Sequence, residues 1–323
     1  EMLGTTEVII SRQILSKWVV TLGMALSPLY EAMKARILES GVLFVDESPV
    51  RVQVQGLKRC RQAYMWVYVG GGGGDPPYRF FEFCLDRSHS HPEKMLKDYQ
   101  GLMHSDKYGV YEKLALLKGI IWCPCMSHAR RKFVEAENGD PELRRWVLRK
   151  IRHLFLLERV AWARSPEERL RIRQDLEKPI LEQLTERIKE HLETGKLLPK
   201  SKFHQALNYY MGLAPYWGNY LSHPDARLDN NVAERAIRPL TIGRKNWLFF
   251  GSANGGRAAA TILSLVQTCR NLDINPEEYL EDVLRRIMGH PARRIEELLP
   301  DRWREARKIQ VAATWQAGQD AAS

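Results

Sequence analysis

The chain has 323 residues, with 49 Lys and Arg against 39 Asp and Glu, giving a formal net charge of +10 and a pI near 9.4. A hydrophobic fraction of 44% and a charged fraction of 27% exclude a disordered or collagen-like chain, and the length suggests roughly two domains or one with a large insertion. The apolar stretch over 18–29 is too short to span a bilayer, no secretory signal opens the chain, and five cysteines make no disulfide scaffold, which fits a reducing, cytoplasmic setting.

Residues 12–40 read as helical, with Leu15, Trp18, Val19, Leu22 and Leu26 at three- and four-residue steps. From 41 to about 122 the pattern is strand-like. The apolar run over 42–45 suits a buried strand, and Val50, Val52 and Val54 alternate with polar residues. Strand-like runs over 64–69 and 78–83 flank a glycine-rich hairpin loop, which lacks the spacing and following Lys-Ser/Thr of a phosphate-binding loop. Two further short strands are predicted over 102–104 and 119–122, with a helix over 108–117 between them. From 128 to 222 the chain is helical and highly charged, and its basic stretch over 144–173 reads as solvated helix faces. A short helix over 230–238 is ended by Pro239, a Gly-punctuated segment follows over 243–256, and helices follow over 257–272 and 276–288.

This order predicts an α/β fold: three antiparallel strands, then a strand–helix–strand crossover, in a mixed sheet covered by helices. The expected organisation is a helical lead-in over 1–40, core segments over 41–127 and 223–290, an all-helical insertion over 128–222 and a tail over 291–323.

Three carboxylates stand out by context. Asp46, with Glu47 beside it, follows the apolar run, and Asp106 follows Leu102-Met103-His104-Ser105. Both are expected at strand ends, where the functional groups of open α/β sheets collect. Glu234 lies on the short helix. Carboxylates brought together repel one another unless a hard cation neutralises them, and Mg²⁺ and Mn²⁺ take oxygen ligands. Two such ions can activate a water or a 3′-hydroxyl against a phosphodiester. Each carboxylate also has a plainer reading: a turn residue for Asp46, a helix cap for Asp106, and an ion pair of Glu234 with Arg238 four residues on. Spacing and composition alone leave a basic α/β protein suited to a polyanionic partner.

Five segments narrow this. They are Leu43-Phe44-Val45-Asp46-Glu47-Ser48-Pro49-Val50, Met103-His104-Ser105-Asp106-Lys107-Tyr108-Gly109-Val110-Tyr111 and Cys125-Met126-Ser127-His128-Ala129-Arg130-Arg131-Lys132-Phe133, followed by Asp229-Asn230-Asn231-Val232-Ala233-Glu234-Arg235-Ala236-Ile237-Arg238-Pro239 and Gly243-Arg244-Lys245-Asn246-Trp247-Leu248-Phe249-Phe250-Gly251-Ser252. In this order the chain resembles the transposases of the insertion sequence 66 family, DDE-type enzymes with a ribonuclease-H-like core. The likeness runs from about residue 12 to the C-terminus.

The resemblance implies that Asp46, Asp106 and Glu234 are catalytic and hold Mg²⁺, with Mn²⁺ as a substitute. It implies DNA cleavage at transposon ends and attack of the freed 3′-hydroxyl on target DNA. It further implies a homo-oligomer that synapses two ends, other element-encoded proteins as partners, no membrane, and a bacterial, nucleoid-associated location. Ser48 stands where the family usually has Thr, which keeps a hydroxyl. Family members commonly carry a preceding DNA-recognition region, whereas this chain begins almost directly at the helix before Asp46. A hydrolysis-only metal nuclease and a catalytically silent DNA-binding remnant are the alternatives.

Cys123, Cys125 and His128 form Cys-x-Cys-x-x-His, which offers three zinc ligands, but no matching Cys/His pair follows at finger spacing. Packing by the cysteines with DNA contact by His128 is the preferred reading. Arg130, Arg131, Lys132, Arg235, Arg238, Arg244 and Lys245 are the expected phosphate contacts, since Lys and Arg are rarely buried unpaired. Trp247 beside Arg244 and Lys245 offers a stacking group; its alternative is a core strand over 247–250 with the basic pair at its rim. One of Asn230 and Asn231 is expected to cap the Glu234 helix.

Overall fold

The apolar run over 42–45 is buried on both faces because it begins the central strand of a five-stranded sheet. The computed structural model describes residues 10–116, 119–194 and 201–309. Its strands are β1 (Val42–Val52), β2 (Arg61–Gly70), β3 (Arg79–Cys84), β4 (Gly101–Ser105) and β5 (Ile120–Pro124), in the order β3-β2-β1-β4-β5. The first three are antiparallel, and β4 and β5 run parallel to β1. This is the mixed sheet with flanking helices that a ribonuclease-H-like core implies.

One expectation changes here. The run over 42–45 and the alternation that follows belong to one strand, so Asp46 lies inside β1 rather than at its end. The reason is pairing: β2 matches β1 from Leu43 to Val52, whereas β4 matches it only at Val42, Leu43 and Phe44. Beyond Phe44 one edge of β1 is open, and there Pro49 is tolerated. Asp46 therefore still sits where the parallel pairing ends.

Helices cover the sheet. α1 (Arg12–Ala25) and α2 (Ser27–Ile37) lead in, and α1 meets a later helix, over Ala253–Asn271, through Gly23, where a Cβ would lie 2.5 Å from that of Ala258. The apolar stripe read on this helix is solvent-facing at Leu15, Trp18, Val19 and Leu22, and only Leu26 is buried. α3 (Ser90–Met95) precedes β4, and α4 (Gly109–Leu114) joins β4 to β5. The predicted end of that helix at Leu117 lies outside the described residues, as do parts of the lead-in, the insertion and the tail.

After β5 come α5 (Met126–Glu135), α6 (Pro141–Ala161), α7 (Pro166–Ile172), a π-helical turn over Arg173–Glu177, α8 (Lys178–Thr194) and α9 (Lys202–Met211). The basic stretch over 144–173 is not uniformly solvated. Arg169 and Arg173 are buried, and Arg173 donates to both carboxylate oxygens of Glu158 at 2.6 and 2.9 Å and to the carbonyls of Tyr220, His223 and Ala226. A helix-borne arginine can be buried when every N–H finds an acceptor.

α10 (Asn231–Trp247), α11 (Ala253–Asn271) and α12 (Pro276–Arg286) follow, and residues 300–309 are helical as well. α11 closes the sheet's outer edge: the hydroxyls of Ser264 and Thr268 accept the N–H groups of Phe81 and Arg79 at 2.8 and 3.0 Å. α10 runs through Pro239 rather than ending there. Proline inside a helix costs about 3 kcal/mol, but Ile237 and Leu240 are buried on either side of it, and Arg244 beyond it is bonded to Ser48 Oγ at 2.9 Å.

Candidate active site

Asp46 and Asp106 project from adjacent parallel strands at the level where their pairing stops. Asp106 directly follows β4, whose end is fixed by Ser105: its Oγ accepts from Trp122 Nε1 at 2.8 Å and its carbonyl accepts from the Cys125 N–H at 3.0 Å. Asp106 does not cap α4, whose N-cap is Tyr108 with no side-chain bond. Glu47, next to Asp46, accepts from Arg87 Nε at 2.9 Å and from the Tyr111 hydroxyl at 3.2 Å. Arg87 itself lies 3.9 Å from the centre of the Tyr108 ring.

Glu234 reaches the same place through a stitched segment. The Arg227 N–H donates to His104 Nε2 at 3.2 Å, and the Met126 N–H donates to the Leu228 carbonyl at 3.0 Å. The Asn230 N–H donates to Cys125 Sγ at 3.2 Å, and Asn230 Nδ2 donates to the Val45 carbonyl at 2.8 Å. These bonds dock the start of α10 onto β1, β4 and α5 together. Asn230 takes the N-cap position of α10, but its side chain gives the helix no cap bond. Asn230 serves the open edge of β1, and Asn231 is turned to Asp229, which accepts its backbone N–H at 3.1 Å.

The charge of Glu234 acts on both aspartates. Asp46 is held well above the usual carboxylate range, first by burial and then by the charges of Glu47, Asp106 and Glu234, although the Glu47 N–H bonds its Oδ1 at 2.9 Å. Asp106 is pushed up to about 6, by burial first, then by Glu47 and Glu234 against the opposing pull of Arg87. Glu234 Oε1 is buried without a hydrogen-bond partner. Oxygen donors that repel one another, one of them unpartnered, fit a hard divalent cation.

Cys125, His128 and Glu234 place their ligand atoms within 4.8 Å of one another, a group able to hold a metal ion; Cys123, read as part of that set, is not in it. Burial pushes the Cys125 thiol up to about 12, and its sulfur already accepts the Asn230 N–H, so it seats α10 as a neutral thiol. His128 Nδ1 faces Glu234 Oε1 at 3.6 Å, too long for a hydrogen bond. Burial lowers the imidazole's proton affinity, with Arg131 and Lys132 adding to that and Glu234 opposing it. Among the described residues Glu234 is paired with His128 and not with Arg238.

Arg130, Arg131, Lys132, Arg235, Arg238 and Lys245 are exposed, and Arg244 is half-buried against Ser48. The core strand considered over 247–250 does not form: Trp247, Leu248 and Phe249 are exposed, and only Phe250 bridges to Val52. Two further residues join the surroundings of Asp106. An open groove of about 440 Å³, lined by Lys107, Gly109, Glu112, Lys132, Asn208 and Tyr209, places the Lys107 and Lys132 ammonium groups 5.6 and 5.9 Å from the Tyr209 ring centre. Lys107 was legible as the neighbour of Asp106, whereas nothing local marks Tyr209, which arrives from α9.

Residues 1–258 match the model of the IS66 transposase family, and residues 264–300 match that of the IS66 C-terminal element. The chain is 33% identical over 303 residues to the uncharacterized protein y4hP of Sinorhizobium fredii (strain NBRC 101917 / NGR234), covering 87% of this chain and 54% of that protein. The uncharacterized protein y4qI of the same strain is 31% identical over 304 residues, covering 90% of this chain and 56% of that protein. The chain thus spans about half the length of the curated relatives it matches. Matches in the order of the motifs, over nearly the whole sequence, settle the family: the chain belongs to the IS66 transposases.

Proposed function

We propose that this chain is the catalytic part of a transposase that cuts DNA at transposon ends and joins the freed 3′-hydroxyl to target DNA. The observation that carries the reading is the placement of Asp46 and Asp106 level on adjacent parallel strands, each raised by burial and by the charge of Glu234, with no Arg or Lys ion-paired to any of the three among the described residues. Asp46 and Asp106 would hold Mg²⁺, or Mn²⁺ in its place, and Glu234 would complete the site and orient the attacking water. When bound, two such ions supply Lewis acidity to the scissile phosphate and lower the proton affinity of the attacking oxygen.

In the first step a water oxygen bonds to phosphorus, the bond from phosphorus to the 3′ oxygen breaks, and a 3′-hydroxyl and a 5′-phosphate result. In the second that hydroxyl attacks a target phosphodiester, whose own 3′ oxygen leaves. His128, Arg130, Arg131, Lys132, Arg235, Arg238, Arg244 and Lys245 would hold the phosphates along the path, with the helical block over 128–222 as an insertion beside it. A second copy would be needed to pair two ends.

The test is incubation of the protein with labelled element ends, supercoiled target and Mg²⁺. Covalent joining of end to target, lost in Asp106→Asn, is the expected result. Cleavage without joining favours a hydrolysis-only nuclease. DNA binding without cleavage, the same in Asp106→Asn, favours a silent DNA-binding protein.

A further inference from the structure

The turn that ends α10 presents three consecutive apolar side chains to solvent. Trp247, Leu248 and Phe249 are 37%, 63% and 42% exposed, and the Leu248 backbone is left-handed at φ 63°. A side chain disfavours that conformation, which glycine adopts freely.

The turn is nonetheless fixed on both flanks. Arg244 before it bonds Ser48 Oγ and the Pro49 carbonyl. After it, the Phe250 N–H donates to the Arg51 carbonyl and the Gln53 N–H donates to the Phe250 carbonyl, each at 2.8 Å. Trp247 stacks on Phe250 with ring centres 4.6 Å apart, and Phe250 packs edge-on against Phe83. The strand that carries Asp46 therefore holds a strained, exposed apolar tip in place. Strain kept by the surrounding structure points to a use for that tip.

The charge around the tip indicates what it meets. Over 235–272 the chain carries Arg235, Arg238, Arg244, Lys245, Arg257 and Arg270, and no Asp or Glu. An apolar point within a carboxylate-free basic segment complements a partner that is anionic outside and apolar inside, as the stacked bases of DNA are. Apolar side chains inserted between base steps unstack them and bend the duplex.

We propose that Leu248 and Phe249 form a wedge that enters the base stack at the far end of α10 from Glu234, about 20 Å along the helix, with Trp247 bracing it and Lys245 on a flanking phosphate. The proposal rests on the DNA-processing reading and deepens it: the substrate is DNA unstacked several base pairs from the scissile bond.

The experiment uses short duplexes with 2-aminopurine at successive positions, bound to the 323-residue chain in EDTA so that no cleavage occurs. Wild type is expected to raise the fluorescence several-fold at one or two adjacent positions, as unstacking does. Leu248→Gly and Phe249→Ala are expected to bind the same duplexes, by anisotropy, within about threefold of wild type, because phosphate contacts carry most of the affinity. They should give no fluorescence rise. Leu248→Gly should melt no lower than wild type, since glycine relieves the strained φ, which separates loss of the wedge from loss of the fold. A bound duplex without a rise in wild type, or an unchanged rise in Leu248→Gly, overturns the wedge and leaves the proposed chemistry standing. No duplex binding at all overturns both. A dimer that Leu248→Gly dissociates, with the fluorescence unaffected, gives the tip to a second copy and also overturns the wedge.

Discussion

The helical block and the open edge of the sheet both bury charge, and they treat it in opposite ways. In the block, Arg173 is fully buried, with Glu158 on one side of its guanidinium and three backbone carbonyls on the other. Glu177 beside them accepts the Tyr220 hydroxyl at 2.7 Å, and burial, then the Glu158 charge, pushes it up to about 7. That cluster therefore sets its carboxylates against a guanidinium of its own. At the sheet, Arg87 is committed to Glu47, and the charge of Glu234 raises Asp46 and Asp106, with no Arg or Lys ion-paired to any of the three among the described residues. Charge that is satisfied within the chain fixes the fold; charge left unsatisfied keeps a place for something that arrives later.

The sharpest way to break this contrast is at Asp46. Asp46→Asn should lower Mg²⁺-dependent DNA cleavage by about 10³-fold or more, a loss of roughly 4 kcal/mol in the barrier, while DNA binding measured without metal is retained. A variant that still cleaves would remove the reserved-site half of the comparison. For the other half, Arg173→Met should destabilise the protein by about 3–5 kcal/mol in a urea titration, because Glu158 is left buried and unpaired. Stability unchanged from wild type would mean that the cluster is not the fastening it looks like.

Proton linkage sharpens the contrast further. Asp106 binds its proton more tightly in the fold, at about 6, than an unfolded aspartate does, near 3.8. Its contribution is therefore fully present below about pH 4 and is lost as the pH rises through about 6, roughly 3 kcal/mol in all. Melting curves in EDTA should show that loss between those values, Asp106→Asn should flatten it, and Mg²⁺ should restore stability above it. A smaller effect is expected at Asn230. Asn230→Ala leaves the Val45 carbonyl without its donor and should cost about 1–3 kcal/mol, with a fall in cleavage that added Mg²⁺ does not recover.

The sheet was legible because strands announce themselves locally: an apolar run, an alternation and a glycine-rich loop fall where β1, β2 and β3 form. What escaped depended on distance. Pro239 reads as a stop by its own chemistry, and only the Arg244 anchor on Ser48, 196 residues away, shows why the helix continues. Arg173 sits in a charged helical run like its solvated neighbours, and its burial is set by carbonyls about 50 residues on. Asn230 has the side chain of a helix cap, yet the open edge of β1, 185 residues earlier, takes its amide. Asp46, Asp106 and Glu234 could be picked out only as carboxylates in context, and their mutual influence is a property of the folded chain.

α10 is fastened to β1 at two points, Asn230 on Val45 and Arg244 on Ser48. The fourteen helical steps between the two anchors rise about 21 Å, while the three strand steps between their targets advance only about 10 Å. The helix must therefore cross the strand obliquely, and the long arm of Arg244 closes the remaining gap. Helix, strand and two cross-ties form a braced frame, stiff against shear in a way that a single hinge is not. Glu234 rides near one tie and the exposed tip at Leu248 near the other. A load applied at the tip is thus borne by the beam that carries Asp46, and the spacing between the carboxylates is governed by member lengths rather than by the slack of a loop.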